Sequence, residues 1–392
     1  MVSGTSNRIA VLDGLRALAI TLVLLRHSVQ LFWSDLSVPY IPVGPFDLGA
    51  FFLNGWMGVD LFFVLSGFLL ASQLIGQSER QAPFSETFFR YIRLRFFRIA
   101  PAYYLVLTLA VLGLIPYHHP IEKPESLWGR YGYHLVFLQD FYPSDIVVAF
   151  WSLAVEMKFY LCLPFVVFAV LNMKAPFYRW TGLLCCVLLS PVLRSVFGGH
   201  FTENGDYFWY IRSVFYYSLD GLFVGVFCAF LWRDVLCQRI IQKRVVANLL
   251  FFSGAVMVWC LGSLAPLLDT GVSVFDRTAL AGVLSFSFGA MMLGLLGQCA
   301  GYRIFEHPVL RFIALISYAL YLVHMPLRSL AIVAMFQVVD ITGLSDQISY
   351  LIYMPFFLSL SVLSATLLYV CVERPCIAWS KKTSDQKERG QS

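Results

Sequence analysis

Ten stretches of this chain are each long and apolar enough to cross a bilayer as a helix, which removes almost every soluble fold from consideration. About twenty predominantly apolar residues span the hydrocarbon core. Such runs lie near 10–32, 51–75, 99–117, 148–172, 180–197, 213–232, 247–267, 278–298, 309–337 and 348–372. In lipid, lone backbone N–H and C=O groups find no water, so each run is expected to be helical. The expected fold is an all-α integral membrane protein, a bundle of about ten transmembrane helices. Composition agrees, with 59% of residues hydrophobic and 13% charged, against roughly a quarter charged in a soluble domain.

The connections set the orientation, because cytoplasmic loops concentrate Lys and Arg. With the N-terminus inside, the inner segments hold Arg8, the run Arg80 to Arg98, Lys174, Arg179, Arg233, Lys243, Arg244, Arg303 and Arg311. The outer loops hold only Lys123, Arg130, Arg212 and Arg277. Both termini are therefore expected in the cytoplasm. The first apolar run carries Asp13, Arg16, Arg26 and His27, so it reads as a span and not as a cleavable signal. Residues 1–380 are expected to form one membrane domain and 381–392 a short disordered cytoplasmic tail. The formal charge of +5 does not suggest a nucleic-acid partner. The nine cysteines lie mostly in apolar runs without metal-ligand spacing, so no metal site is expected.

Ionisable groups inside spans are expensive and each needs a reason. Arg16 and His27 are eleven residues apart, about three turns, and share a face of the first span. By depth, Asp60 and Glu156 both fall roughly 12–14 Å below the outer surface at 1.5 Å per residue, near His27. A histidine beside a carboxylate suits general-base catalysis; the alternative is an interhelical pair that only holds helices together. Arg90, Arg93, Arg95 and Arg98 precede Pro101 at the inner mouth of the third span. They suit either a positive-inside anchor or a phosphate site, since guanidinium forks match phosphate oxygens. The outer loops near 118–147 and 198–212 are rich in Trp and Tyr, which fits sugar stacking or an interfacial aromatic belt.

These residues fall in motifs. Arg8-Ile9-Ala10-Val11-Leu12-Asp13-Gly14-Leu15-Arg16, with Arg16 and His27 separated by ten residues, opens the chain. Gly58-Val59-Asp60-Leu61-Phe62-Phe63-Val64-Leu65-Ser66-Gly67-Phe68, Arg95-Phe96-Phe97-Arg98-Ile99-Ala100-Pro101 and Trp151-Ser152-Leu153-Ala154-Val155-Glu156 follow. Ile316-Ser317-Tyr318-Ala319-Leu320-Tyr321-Leu322-Val323-His324 and Glu373-Arg374-Pro375 come near the end. In this order, over almost the whole chain, they resemble the acyltransferase 3 family of membrane acyltransferases.

That resemblance implies transfer of a short acyl group, most often acetyl, from acyl-coenzyme A to a carbohydrate hydroxyl, in a multi-pass protein of the bacterial cytoplasmic (inner) membrane. Acceptors in the family include surface polysaccharide such as lipopolysaccharide, lipid-linked glycan and antibiotic sugars. It implies His27 as general base, with Glu156 or Asp60 orienting it. Arg95 and Arg98, with Arg93 and Arg16, would bind the coenzyme A phosphates of acetyl-CoA, the acyl donor. Trp151, Ser152 and His324 would line the substrate path, although His324, near mid-membrane, equally suits a helix-packing histidine. Ser66, Ser152 or His27 would carry the acyl group if transfer is not direct.

Two positions depart from the family pattern. Met157 and Lys158 follow Glu156 where relatives often have a second acid, and Arg26 precedes the histidine where an uncharged residue is common. Some members carry an extra esterase-like soluble domain at the C-terminus, so without it any extracytoplasmic transfer is expected to rest on the membrane part or a partner. A transporter or flippase of a glycan precursor, and an acyltransferase acting on lipid, are the competing readings. Oligomeric state is left open.

Overall fold

The structure, a computed structural model, describes residues 9–32, 42–79, 83–116, 126–142, 146–201, 204–263, 273–340 and 343–389. Arg8, Arg80 and Lys123 lie outside the described residues.

The described chain is almost entirely helical. The long first helix α1 (Ala10–Phe32) leads to a two-residue hairpin (Pro42–Val43 with Phe46–Asp47), the short α2 (Leu48–Leu53) and α3 (Gly58–Ser78). α4 (Phe84–Val111), α5 (Leu127–Leu135), α6 (Trp151–Asn172) and α7 (Pro176–Phe197) follow. Next come α8 (Asn204–Tyr207), α9 (Asp220–Arg233), α10 (Val235–Ile241), α11 (Arg244–Ser263) and α12 (Ala281–Leu296). α13 (Pro308–Phe336), α14 (Asp346–Leu368) and α15 (Arg374–Arg389) complete the order. Helix starts follow capping chemistry. Pro308 sits at the first position of α13 behind His307, and Ser126 accepts from the Gly129 N–H to open α5. Asp234 caps α10 by accepting from the Leu236 and Cys237 N–H groups, and these bonds hold its carboxyl below the usual carboxylate range.

Among the described residues, eight helical segments are long and apolar enough to span a membrane. Of the ten expected spans, the first and sixth are the two not in that set. α1 is 23 residues long but carries Asp13, Arg16 and Arg26. α9 has only 14 residues, roughly 21 Å at the helical rise, because the chain before it bends through Phe215–Tyr217. Both are nonetheless packed inside the bundle, where α1 meets α13 and α3, and α9 meets α3. The tail expected to be disordered from Lys381 is helical as far as Arg389, continuing α15 out of the last span.

Burial sorts the spans into centre and rim. In Leu48–Ser78, 72% of the apolar window is buried, against 22% in Pro176–Phe197 and Arg244–Ser263. Apolar residues on the rim face lipid without cost, so the core is set by close approach and not by water exclusion. The α3–α9 contact shows this. A Cβ on Gly67 would lie 2.0 Å from the Leu222 carbonyl oxygen, and one on Gly225 would lie 2.2 Å from that of Val64. Only glycine at both positions lets the two backbones meet.

Ion pairs tie together the end of the bundle that carries α5. Arg194 on α7 grips Asp220 on α9 with two bonds of 2.6 and 2.8 Å and donates to the Thr278 carbonyl. Lys158 on α6 reaches Asp140 at 2.5 Å in the connection after α5, so it does not pair with Glu156. Burial pushes the Asp140 carboxyl up, opposed by the Lys158 charge. On α5 itself the buried His134 ring lies 2.9 Å from the Tyr103 hydroxyl. Burial and the neighbouring Arg130 charge lower that imidazole to about 3.

Candidate active site

A cavity of about 110 Å³ opens between α1, α3, α4, α6 and α13. Its polar lining is Arg16 from α1, Ser66 from α3, Arg95 and Arg98 from α4, Ser152, Glu156 and Tyr160 from α6, and Ser317, Tyr318 and Tyr321 from α13. Five helices far apart in sequence thus bring most of the motif residues to one space. Arg93, Trp151, Asp60, His27 and His324 are not in its wall.

The arginine end is built on α4. Arg95 donates to the Gln73 side-chain carbonyl and lies 5.8 Å from the Tyr91 ring centre. Arg98 and Arg16 both act electrostatically on Glu373, a buried carboxylate of the last span whose Oε2 has no hydrogen-bond donor. Arg16 also lies 3.8 Å from Asp13, one turn before it. The Tyr318 hydroxyl donates to the Ile99 carbonyl at 2.7 Å and so fixes α13 against α4.

Glu156 sits within the cavity and accepts from the Ser66 hydroxyl at 2.5 Å and the Tyr160 hydroxyl at 2.6 Å, both at Oε1. One turn higher on α6, Ser152 pairs with Tyr321 at 2.6 Å, and Tyr321 donates to the Ala149 carbonyl at 2.5 Å. Tyr321 closes the cavity's far end, and its ring centre is 5.6 Å from that of His324.

Beyond Tyr321 lies a histidine pair. His324 Nε2 is 3.1 Å from His27 Nδ1, with ring centres 4.9 Å apart. The backbone dictates where the protons are. His324 Nδ1 faces the Leu320 and Tyr321 carbonyls at 3.2 and 2.8 Å, so it carries the hydrogen and Nε2 is an acceptor. His27 Nδ1 faces that acceptor and the Val23 carbonyl at 3.0 Å, so it too carries the hydrogen. The lone pair of His27 is then on Nε2, the arrangement of a base.

The partner expected for His27 needs correction. Neither Glu156 nor Asp60 bonds to it; His324 and the Val23 carbonyl do. Glu156 is two turns below the histidine level, because its neighbour Ser152 faces Tyr321 and His324 comes a turn later on α13. Asp60 instead accepts from Arg212 at 2.7 Å, and the Arg212 guanidinium lies over Trp151 (5.1 Å) and Trp56 (5.6 Å). Trp151 is therefore occupied by that cation. Arg26 donates to the Leu53 carbonyl at 2.9 Å, anchoring α1 to α2.

Sequence reasoning placed Arg212 in an outer loop and missed it as the counter-ion of Asp60. The signal was present, since a carboxylate in a span requires a cation nearby. Gln73, Glu373 and Tyr321 were missed as partners because nothing in their spacing marks them. Among the described residues no cluster of three His, Cys, Asp or Glu side chains is placed to hold a metal.

The family model for the acyltransferase domain matches residues 9–370, nearly the whole chain. The chain belongs to the acyltransferase 3 family. It is 27% identical over 339 residues to the peptidoglycan O-acetyltransferase OatA of Listeria monocytogenes, covering 81% of this chain and 49% of that protein. It is 26% identical over 343 residues to the putative peptidoglycan O-acetyltransferase YrhL of Bacillus subtilis, covering 80% and 48%. The O-acetyltransferase OatA of Staphylococcus aureus is 27% identical over 259 residues, covering 61% and 37%. The chain thus spans half or less of the length of these curated relatives. No solved structure matches it.

Proposed function

We propose that this acyltransferase 3 protein moves an acetyl group from acetyl-coenzyme A to a hydroxyl of a carbohydrate, with His27 as general base. In this reading α1 and α9 join the eight apolar segments to make ten spans, both termini face the cytoplasm, and the protein resides in a bacterial inner membrane. The acceptor is a glycan presented on the outer side, either peptidoglycan, as the relatives' names suggest, or a surface polysaccharide.

The observation that carries the reading is the histidine pair at the far end of a cavity with three arginines, Arg16, Arg95 and Arg98, in its wall. Guanidinium groups bind phosphate oxygens through paired, charge-assisted bonds, so the coenzyme A phosphates dock at the α4 end. The thioester then points past Glu156 toward Tyr321. There His27 Nε2 removes the acceptor hydroxyl proton as the oxygen attacks the thioester carbonyl. The tetrahedral intermediate collapses, the carbon–sulfur bond breaks, and the coenzyme A sulfur takes the proton from His27. His324 orients His27, supplying through its Nε2 acceptor what a carboxylate supplies in other general-base pairs. Ser152 and Tyr321, already a hydroxyl pair at the cavity's end, are the donors nearest the developing oxyanion.

The test is O-acetyl ester on extracted surface glycan in cells with wild type or His27→Ala at matched membrane expression, with acetyl-CoA affinity measured on the purified protein. Ester lost in the variant while acetyl-CoA still binds supports the reading. Equal ester in both removes His27 as the base, and a wild type that does not bind acetyl-CoA removes the donor.

A further inference from the structure

A second cavity, of about 40 Å³, lies beyond the histidine pair, lined by Pro116, Ile146, Val148, Met325, Arg328 and Ser329 among others. The same three chain segments build both cavities in the same order. α13 gives Ser317, Tyr318 and Tyr321 to the large cavity and Met325 to Ser329 to the small one. α6 gives Ser152 and Glu156 to the large one, and the residues leading into it, Ile146 to Val148, to the small one. α4 gives Arg95 to Ile99, and the chain after it gives Pro116. The cavities are therefore stacked along the bundle, and His324 falls between Tyr321 of the large one and Met325 and Arg328 of the small one. A water needs roughly 10–15 Å³ of such space, so the small cavity admits a group of a few heavy atoms and not a whole sugar.

Arg328 is the unexplained residue there. It is only 9% exposed, and its guanidinium makes no ion pair or hydrogen bond with any described residue. Arg194 and Arg212 are buried as deeply, and each holds a carboxylate. An unpaired cation within a span is costly, and such residues mark ligand paths. The Arg328 charge reaches both His27 and His324. It stands four residues after His324, one turn along the same face of α13. The remaining wall is apolar apart from Ser329, so nothing else in it competes for an anion.

We propose that the small cavity is an acceptor subsite that takes an oxyanion, a carboxylate or phosphate carried by the carbohydrate, with Arg328 as its counter-ion. The bound anion holds the sugar so that a neighbouring hydroxyl meets His27 Nε2. The acceptor is thereby assigned to acidic carbohydrates, with the phosphate or carboxylate one turn from the reacting oxygen. This rests on the acyl-transfer reading given above.

The test uses the purified full chain in detergent, with trifluoroacetate as a small probe oxyanion followed by fluorine NMR line broadening. Loss of a charge-assisted bond predicts that Arg328→Met weakens probe binding roughly tenfold or more, while Arg328→Lys keeps part of it. Acetyl-CoA affinity, measured on the same samples, reports that each variant is folded. Displacement of the probe by glucuronate assigns a carboxylate, and displacement by glucose 1-phosphate assigns a phosphate. Equal probe binding in wild type and both variants overturns the site, as does displacement by coenzyme A alone. Displacement by glucose as well as by the acids, or by neither acid, overturns the acceptor assignment. Probe binding that depends on Arg328 in a protein that forms no acetyl ester would instead break the acyl-transfer reading and leave the anion site.

Discussion

The two halves of the bundle treat buried charge in opposite ways. At the end of the bundle that carries α5, Arg194–Asp220, Arg212–Asp60 and Lys158–Asp140 are short carboxylate pairs, each joining two separate segments of the chain. At the opposite end, Arg95 and Arg98 line the cavity, held by a neutral amide and by the field of a carboxylate on another helix. A guanidinium bound through two bonds to one carboxylate, as Arg194 is to Asp220, has committed the fork that would grip a ligand. A guanidinium held by an amide keeps most of its five donors for one. Burial of charge is thus poor grounds for function by itself, and the partner decides. His27 belongs with these cavity arginines, because its only described polar contacts are a carbonyl and another imidazole.

The strongest way to break this contrast is at the histidine. His27→Ala should lower acetyl transfer by about 10²–10⁴-fold, the usual contribution of a general base, with thermal stability in detergent nearly unchanged. His324→Ala should lower it less, since His27 keeps its bond to the Val23 carbonyl. If the two variants unfold instead of losing rate, the pair is a helix clamp like Arg194–Asp220.

Arg194 should respond in the reverse sense. Arg194→Met leaves Asp220 charged and buried, which should cost about 3–5 kcal/mol of stability, read as a fall in melting temperature with no change in acetyl-CoA affinity. Replacing both partners by apolar residues of similar volume, Arg194→Met with Asp220→Leu, should recover most of that loss. A stable single variant with impaired transfer would move this pair into the functional set.

How far these roles were legible in the sequence follows the same division. The charges inside spans were visible one by one, and so was the helical character of the runs that hold them. Arg16, Arg95, Arg98, Ser152 and Glu156 do converge on one cavity. The partners were not legible. His27 and His324 are 297 residues apart, and Asp60 and Arg212 are 152 apart. Depth along each helix can be counted from residues, but which way a side chain points around a helix, and how two helices are offset, is set by packing. Counting placed Asp60, Glu156 and His27 at one level, whereas the Ser152–Tyr321 contact separates Glu156 from the histidines. Likewise a period of twenty apolar residues cannot tell a full span from α9, whose start is cut short by a local bend.

A smaller effect should sharpen the cavity side of the comparison. Arg98→Gln should raise the KM for acetyl-CoA by about tenfold, the loss of one charge-assisted contact, and leave kcat within a few-fold. Glu373→Gln, which removes the buried carboxylate acting on Arg98 and Arg16, should leave that KM unchanged or lower it. A fall in kcat at unchanged KM for Arg98→Gln would place that arginine at the reacting carbonyl and not at the phosphates.

The smallest effect concerns α5 and depends on pH. His134 is buried and neutral, with its imidazole at about 3 against an ordinary 6.5. Between those values the unfolded chain binds a proton that the folded one does not, so stability falls as pH drops from about 6.5 toward 3. His134→Gln keeps a polar group beside the Tyr103 hydroxyl and should change stability at pH 7 by only about 1 kcal/mol, one hydrogen bond's worth. Below pH 6 the variant should lose less stability than wild type, so the two melting curves converge and then cross as the pH is lowered. Because His134 contacts Tyr103 on α4 and not the cavity, transfer at pH 7 should be the same in both. Parallel acid sensitivity in the two proteins would shift the cause to another buried group, and Asp140 cannot supply it. Its carboxyl is raised, so the unfolded chain gives up that proton first and acid favours the fold there.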